Sequence, residues 1–340
     1  MYHVGCSKSS RLYGRISIGP NSIVAQGAIL RSHDDSIKVG NNTGILENCV
    51  IIGNQEHKVS IGSKTVFGHS CVILGAKVGS LCEIGNRTIF MPGAKIGNQC
   101  IFGEGTIVPE NKVIPDYSVV VGRPAKIIRK LGTSDLEMIK NMRNNDLTLS
   151  DFIERSIGKV FEGDQMGTLH AYKDKYPNIK GSSIIYDTAE ITGDVSIGEN
   201  CIIASGVKVI GDSHGHVEIG NNVQILENTV LHLLPGNELT IKDHTIIGPG
   251  CVVHGSIIEK GCVIESGSTI CDNSHIGENS LIKAGSLVKQ NSQIENNNIF
   301  EGFPAKQIGT ITGKVIKPMW AFPRWSRKYK PLLLSKSISF

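Results

Sequence analysis

The sequence predicts a mainly β protein made of two parallel β-helix domains joined by a helical linker. Three observations carry that prediction: an apolar residue returns at every sixth position, the two halves are copies of one another, and the segment between them breaks the period. In the first half the phase runs through Val78, Ile84, Phe90, Ile96, Phe102, Val108, Ile114 and Val120 without a slip, and in the second through Ile258, Ile264, Ile270, Ile276, Ile282, Val288, Ile294 and Phe300. A period of six is neither the helical 3.6 nor a simple two-residue alternation. A short extended segment with one inward apolar residue, closed by a Gly, Asn or Asp turn, forms one side of a prism. Three sides make a coil of about 18 residues, stacked on the next through parallel β hydrogen bonds roughly 4.8 Å apart.

The elements follow in chain order. Residues 1–130 form the first β-helix. Residues 131–180 form the linker: the Ser134-Asp135-Leu136-Glu137 start and the helical spacing of Leu136, Ile139 and Met142 predict a capped helix with further helical turns. Residues 181–310 form the second β-helix. "GNNTGILENCVI" at Gly40 matches "GNNVQILENTVL" at Gly220, and the same offset carries "VVGRPAKII" at Val120 onto "FEGFPAKQI" at Phe300. Upstream the offset is smaller by one, as Ile18-Gly19 matches Ile197-Gly198, so one residue was gained or lost between them.

Residues 311–340 form a basic, aromatic tail. The net charge of +4 belongs to it: residues 1–301 carry 27 lysines and arginines against 31 carboxylates, a net of −4, and no acid follows Glu301. Trp320, Phe322, Trp325 and Tyr329 are interleaved with those cations, and three prolines exclude one continuous amphipathic helix. The aromatics are expected to pack on a β-helix face as a strap; docking to an acidic carrier protein or a membrane surface and non-specific nucleic-acid contact through phosphates and stacking are the alternatives, and no specific nucleic acid is expected. The nine cysteines show no CxxC spacing and mostly precede an aliphatic of the repeat, so they are read as reduced, buried side chains of an intracellular protein. No signal-peptide run and no stretch of transmembrane length occurs, which places the protein as soluble and cytoplasmic.

Histidines give the sharpest chemical signal. His232 and His254 each directly follow an inward aliphatic, Leu231 and Val253. Their separation is one coil plus four, and Pro235-Gly236-Asn237-Glu238 is a natural four-residue bulge. With the bulge extruded, the two imidazoles stack on adjacent coils, close enough to share an ion. The same positions in the first copy hold Ile52 and Leu74, whereas His69 in "TVFGHSCVIL" corresponds to Pro249.

The repeat, together with "RSHDDSIKVGNNTGILENCVI", "VFGHSCVILG", "IIGPGCVVHG" and the closing "VGRPAK" and "GFPAK" segments, resembles the γ-class carbonic anhydrases and their hexapeptide-repeat relatives over residues 9–130 and 182–310. The resemblance implies left-handed β-helices, a homo-oligomer (a trimer in that family) and a zinc ion between faces. Carried over, two zinc ligands from one face fall on His232 and His254, and the neighbour's ligand falls on His69. The family's Arg and Asp, which face each other across the interface, fall on Arg31 in one copy and Asp212 in the other. Its catalytic N-x-Q-D segment falls on Gln224 and Glu227, with Gly44 and Glu47 in the first copy. Leu46 and Leu226 replace the Gln thought to orient zinc-bound water, and the proton-shuttle loop has shrunk to the bulge.

The expected function is therefore a γ-carbonic-anhydrase-like zinc enzyme, or one using another divalent transition metal, that activates water or a carbonyl for hydration, hydrolysis or lyase chemistry on a small substrate. An acyltransferase drawing on acyl-coenzyme A or acyl-carrier protein, with His69 as general base, is the alternative, and a non-catalytic assembly protein is the third.

Overall fold

The computed structural model describes residues 4–33, 35–144, 167–212, 215–313 and 315–323. The chain divides into two compact units, with the division between residues 162 and 163. Among the described residues each unit is a prism of three parallel sheets, of eight, six and six strands in the first and seven, seven and eight in the second. Almost every strand is two to four residues long and pairs with the strand one coil away. Val66–Phe67, for example, lies in parallel register between Gly44–Ile45 and Glu83–Ile84. This arrangement fits the left-handed parallel β-helix.

The six-residue phase is the core. Val78, Ile84, Phe90, Ile96, Phe102, Val108, Ile114 and Val120 are all at most 5% exposed, as are the second-copy positions from Ile258 to Ile294. Phe300 departs from the expectation and is only half-buried, whereas Val120, at the matching end of the first copy, is fully buried. The turns between prism sides need a left-handed backbone residue, and asparagine fills that position in both copies: Asn42 and Asn48, like Asn222 and Asn228, have φ between 53° and 58°. Its short polar side chain tolerates this region better than any other with a Cβ apart from aspartate.

All cysteines are free, and all but Cys271 are buried. Burial pushes the Cys251 and Cys262 thiols up to about 12. They act as small packing groups whose Sγ donates to a carbonyl of the next coil, as Cys251 does to Glu265 at 3.2 Å.

Each copy ends in an antiparallel hairpin that folds back on the final coil. Ser118–Val121 pairs with Lys126–Lys130, and Asn298–Gly302 pairs with Ala305–Thr310. The linker helix runs over Thr133–Asn144. Its start is held by Asp135, whose carboxylate accepts from the Gly132 amide at 2.7 Å and from Arg129 Nη2 at 3.0 Å. Those donors, Arg129 first, lower the Asp135 pKa to about 2. The boundary at residue 180 needs correction: Thr168–His170 and Asn178–Ile179 already pair with strands of the second β-helix. Ile179 takes the inward position opposite Ile197, and so belongs to that core. Residues 145–166, where further helical turns were expected, lie outside the described residues. No described helix is long and apolar enough to cross a membrane.

Candidate functional site

In the second unit, one corner of the prism collects the predicted histidines. The strand Val230–Leu231 stacks on Val252–Val253 in direct register, which sets His232 and His254 on adjacent coils. Their rings lie edge to face with centroids 5.7 Å apart. The lengthened coil arises as expected: Leu239–Ile241 still pairs in register with Val217–Ile219, and the surplus leaves the coil around Pro235. Both imidazoles are partly open, at 26% and 32% exposure.

Each ring has a carboxylate beside it. Asp212 Oδ2 is 3.5 Å from His232 Nε2, and Asp272 Oδ2 is 3.3 Å from His254 Nδ1. Asp212 is thus brought to the histidine corner of its own unit. Asp272, which was not singled out in the sequence, stands one coil beyond His254, so its signal was the coil length itself. Carboxylate-oriented imidazoles are a recurrent arrangement around metal ligands. The donor set suits zinc, and the ring separation suits a shared ion, since two imidazoles on one tetrahedral centre with bonds of about 2 Å have centroids roughly 5 Å apart. Among the described residues no group of three His, Cys, Asp or Glu side chains could hold a metal ion.

Nearby, Asp194 binds His216 Nδ1 at 2.9 Å and Lys175 Nζ at 3.1 Å. Burial works to raise the Asp194 pKa, but His216 and Lys175 outweigh it and hold the carboxyl below the usual range. A depressed carboxyl stabilises the fold above its unfolded pKa and loses that contribution as pH falls through its folded pKa. Asp194→Asn is therefore expected to lower the second unit's stability at neutral and alkaline pH and to leave it little changed at acid pH, so that the acid limb flattens, as read by thermal unfolding across pH. His214, in the same loop, lies outside the described residues.

Gln224 and Glu227 sit on the next side of the prism. The Gln224 amide is engaged at both ends: its Nε2 donates to the Phe322 carbonyl at 3.1 Å, and its Oε1 accepts from the Phe322 amide at 2.9 Å. Trp320 is 1% exposed and the Phe322 ring lies 5.5 Å from Tyr186. The tail thus straps this unit as expected as far as Phe322, and Trp325 and Tyr329 lie outside the described residues. Glu227 is 1% exposed and Leu226 is fully buried, so neither is a solvated turn residue.

In the first unit, His69 is on the turn after Val66–Phe67, its backbone amide held by Asn86 Oδ1 at 2.7 Å. Its Nδ1 lies 2.6 Å from Glu47 Oε2. This is an ion-pair approach by distance, without the alignment of a full hydrogen bond. Glu47 precedes His69 by the same interval that separates His232 from His254. Arg31 is 3% exposed in the strand Ile29–Ser32, with its Nη1 3.4 Å from His33 Nε2. Its neighbours in the ladder are Tyr13 and Ile52. Ile52 and Leu74, at the histidine positions of the other copy, are fully buried.

No family model matches the chain. Over 92 residues it is 40% identical to the carbonic anhydrase of Geobacillus kaustophilus, which covers 27% of this chain and 50% of that one. Over 174 residues it is 30% identical to the mitochondrial gamma carbonic anhydrase 2 of Arabidopsis thaliana, covering 49% of this chain and 62% of that one. A solved hexapeptide transferase family protein from Anaplasma phagocytophilum is 29% identical, covers 43% of this chain and 85% of that one, and has a TM-score of 0.41. The chain spans half to about six-tenths of the length of these curated relatives. With the repeat, the duplication and the curated relatives in view, the chain is a tandem-duplicated hexapeptide-repeat protein resembling the γ-class carbonic anhydrases over part of its length.

Proposed function

We propose that the chain is a γ-carbonic-anhydrase-like metalloenzyme, with zinc held by His232 and His254 and by His69 presented by a neighbouring copy of the chain. The observation that carries this reading is the stacked pair, His232 on His254 at 5.7 Å, each ring with a carboxylate of its own. A bound zinc supplies Lewis acidity toward water or a carbonyl. The chain's own residues bind and orient. Asp212 and Asp272 fix the two rings, Leu226 keeps the adjoining turn apolar, and the partial exposure of both histidines leaves an approach for a small substrate. Arg31 supplies a buried cation suited to an anionic substrate. Hydration or hydrolysis of a small carbonyl compound is the chemistry these parts serve.

The test is the zinc content of protein purified without a histidine tag. Zinc near one equivalent per chain or somewhat less is expected, and it should be lost in His232→Ala and in His69→Ala alike. Zinc retained in full by His69→Ala overturns the shared site.

One observation favours acyl transfer as the second reading. The His69–Glu47 pair is a histidine with a carboxylate on one ring nitrogen, the arrangement a general base needs. Zinc-free protein that binds acetyl-coenzyme A, with acyl transfer lost in His69→Ala, would select this reading instead.

A further inference from the structure

The carboxylate of Asp272 holds two things at once, and neither follows from the repeat. It is only 7% exposed. Its Oδ2 faces His254 Nδ1 at 3.3 Å, while its Oδ1 accepts from the Leu234 amide and from Asn237 Nδ2, both at 3.3 Å. Leu234 and Asn237 belong to the bulge that leaves the coil between the two histidines. Asn237 closes that bulge onto the corner: its Nδ2 also donates to the Gly255 carbonyl at 2.9 Å, and its Oδ1 accepts from the Glu238 amide at 2.9 Å. A Cβ on Gly255, the residue after His254, would stand 2.4 Å from Asn237 Nδ2, so a larger residue there would displace the Asn237 amide. A single buried side chain therefore couples the conformation of the bulge to the orientation of one imidazole.

An ionised carboxylate accepts and cannot donate, so it favours the proton on the nitrogen it faces. With Nδ1 protonated toward Asp272, the lone pair of a neutral His254 is on Nε2. We infer that Asp272 is the positioning residue of the histidine pair, fixing His254 in the Nδ1–H form so that Nε2 is the ligating atom, and seating the bulge beside it. The inference deepens the proposed metal-binding reading and rests on it for its consequence, but the tautomer belongs to the metal-free protein.

Asp272→Asn separates the two jobs. Asparagine keeps the size of the side chain and an oxygen for Leu234 and Asn237, but turns an NH₂ group toward His254. Its donor demands a bare Nδ1, which moves the ring proton to Nε2 and blocks the lone pair. Long-range proton–nitrogen correlation spectra of the metal-free protein, at a pH where the imidazoles are neutral, read the tautomer directly. The expected result is Nδ1–H for His254 in the native protein and Nε2–H in Asp272→Asn, with the Leu234 and Asn237 amides equally protected from exchange in both. Zinc affinity, measured by competition with a chromogenic chelator, is expected to fall about 10- to 100-fold in Asp272→Asn. Asp272→Ala should lose the amide protection as well.

Nε2–H in the native protein, or an unchanged tautomer in Asp272→Asn, overturns the assignment, as does a switched tautomer with undiminished zinc affinity. Nδ1–H in the native protein and Nε2–H in Asp272→Asn, with no zinc bound by the native protein, uphold Asp272 as the positioning residue and remove the metal reading instead.

Discussion

Phe90→Ala is expected to destabilise the first β-helix by about 3–5 kcal/mol, the usual result of emptying a large core ring. Phe90 is fully buried. Its ring sits edge-on between Phe102, at 5.1 Å between centroids, and Phe67, at 6.4 Å. Its backbone pairs with Ile73 on one side and Val108 on the other. A stack in which each coil touches only its neighbours has no other route around a weakened rung. The second copy holds Ile270 at the corresponding position, also fully buried, so that core is aliphatic where the first is aromatic. Urea unfolding followed by probes in each unit should show the first unit's transition moving while the second stays in place. A loss of less than about 1 kcal/mol would mean that the neighbouring rings collapse into the space.

Gly193→Ala is expected to destabilise the second unit by about 2–4 kcal/mol, combining backbone strain with a collision that cannot relax locally. Gly193 has φ of +78°, and a Cβ there would stand 2.0 Å from the Gly211 carbonyl oxygen. Gly14, its counterpart in the first copy, has φ of +84°, with a Cβ 1.8 Å from the Ser32 oxygen. Two copies whose other residues have diverged thus share one close approach of backbone to backbone. In the second copy the consequence reaches the histidine corner, because Gly211 leads directly into Asp212. Relieving the collision pushes that strand away and moves Asp212 from His232, so on the proposed zinc reading the metal content should fall along with the melting temperature. Gly181→Ala is the control: nothing lies within 4 Å of its Cβ position, and its backbone is ordinary. A Gly193→Ala protein as stable as the control would show that the two coils can part at little cost.

Most of the frame is legible from residue order alone. The inward phase needs only a period, and the copying of Gly40 onto Gly220 needs only an offset. The stacking of His232 on His254 was readable for the same reason, since a coil length plus a bulge fixes which residues are neighbours. Asp272 and Glu47 obey the same arithmetic, one an ordinary coil and the other a lengthened coil from its histidine, but a carboxylate on a turn looks like any solvated turn acid until its atoms are placed. The clasp between Gln224 and Phe322 had no such rule behind it. It joins a repeat position to a distant segment outside the repeat, and no period relates the two. Gln224 was expected to serve catalysis, and its amide serves the strap. The start of the second β-helix was placed late because its first coil, around Thr168–His170 and Asn178–Ile179, is separated by a loop that carries no six-residue beat.

The closing hairpins bear on how such a molecule remains discrete. The last coil of a parallel stack presents a row of unpaired amides and carbonyls, a template onto which the first coil of any other copy could grow. Repetition of that event would spin a fibre from a folded protein without unfolding it. On one of the three sheets in each copy the chain reverses at this edge, so that sheet's outermost strand, Lys126–Lys130 or Ala305–Thr310, runs antiparallel to the strands beneath it. A parallel coil arriving there meets a strand of the wrong direction, with Lys126, Arg129 and Lys130 exposed along one rim and Lys306 on the other. The turn that makes this possible, Gly-Arg-Pro in one copy and Gly-Phe-Pro in the other, is among the best-kept features of the duplication. A repeat that extends so readily needs a stated end, and each copy carries its own.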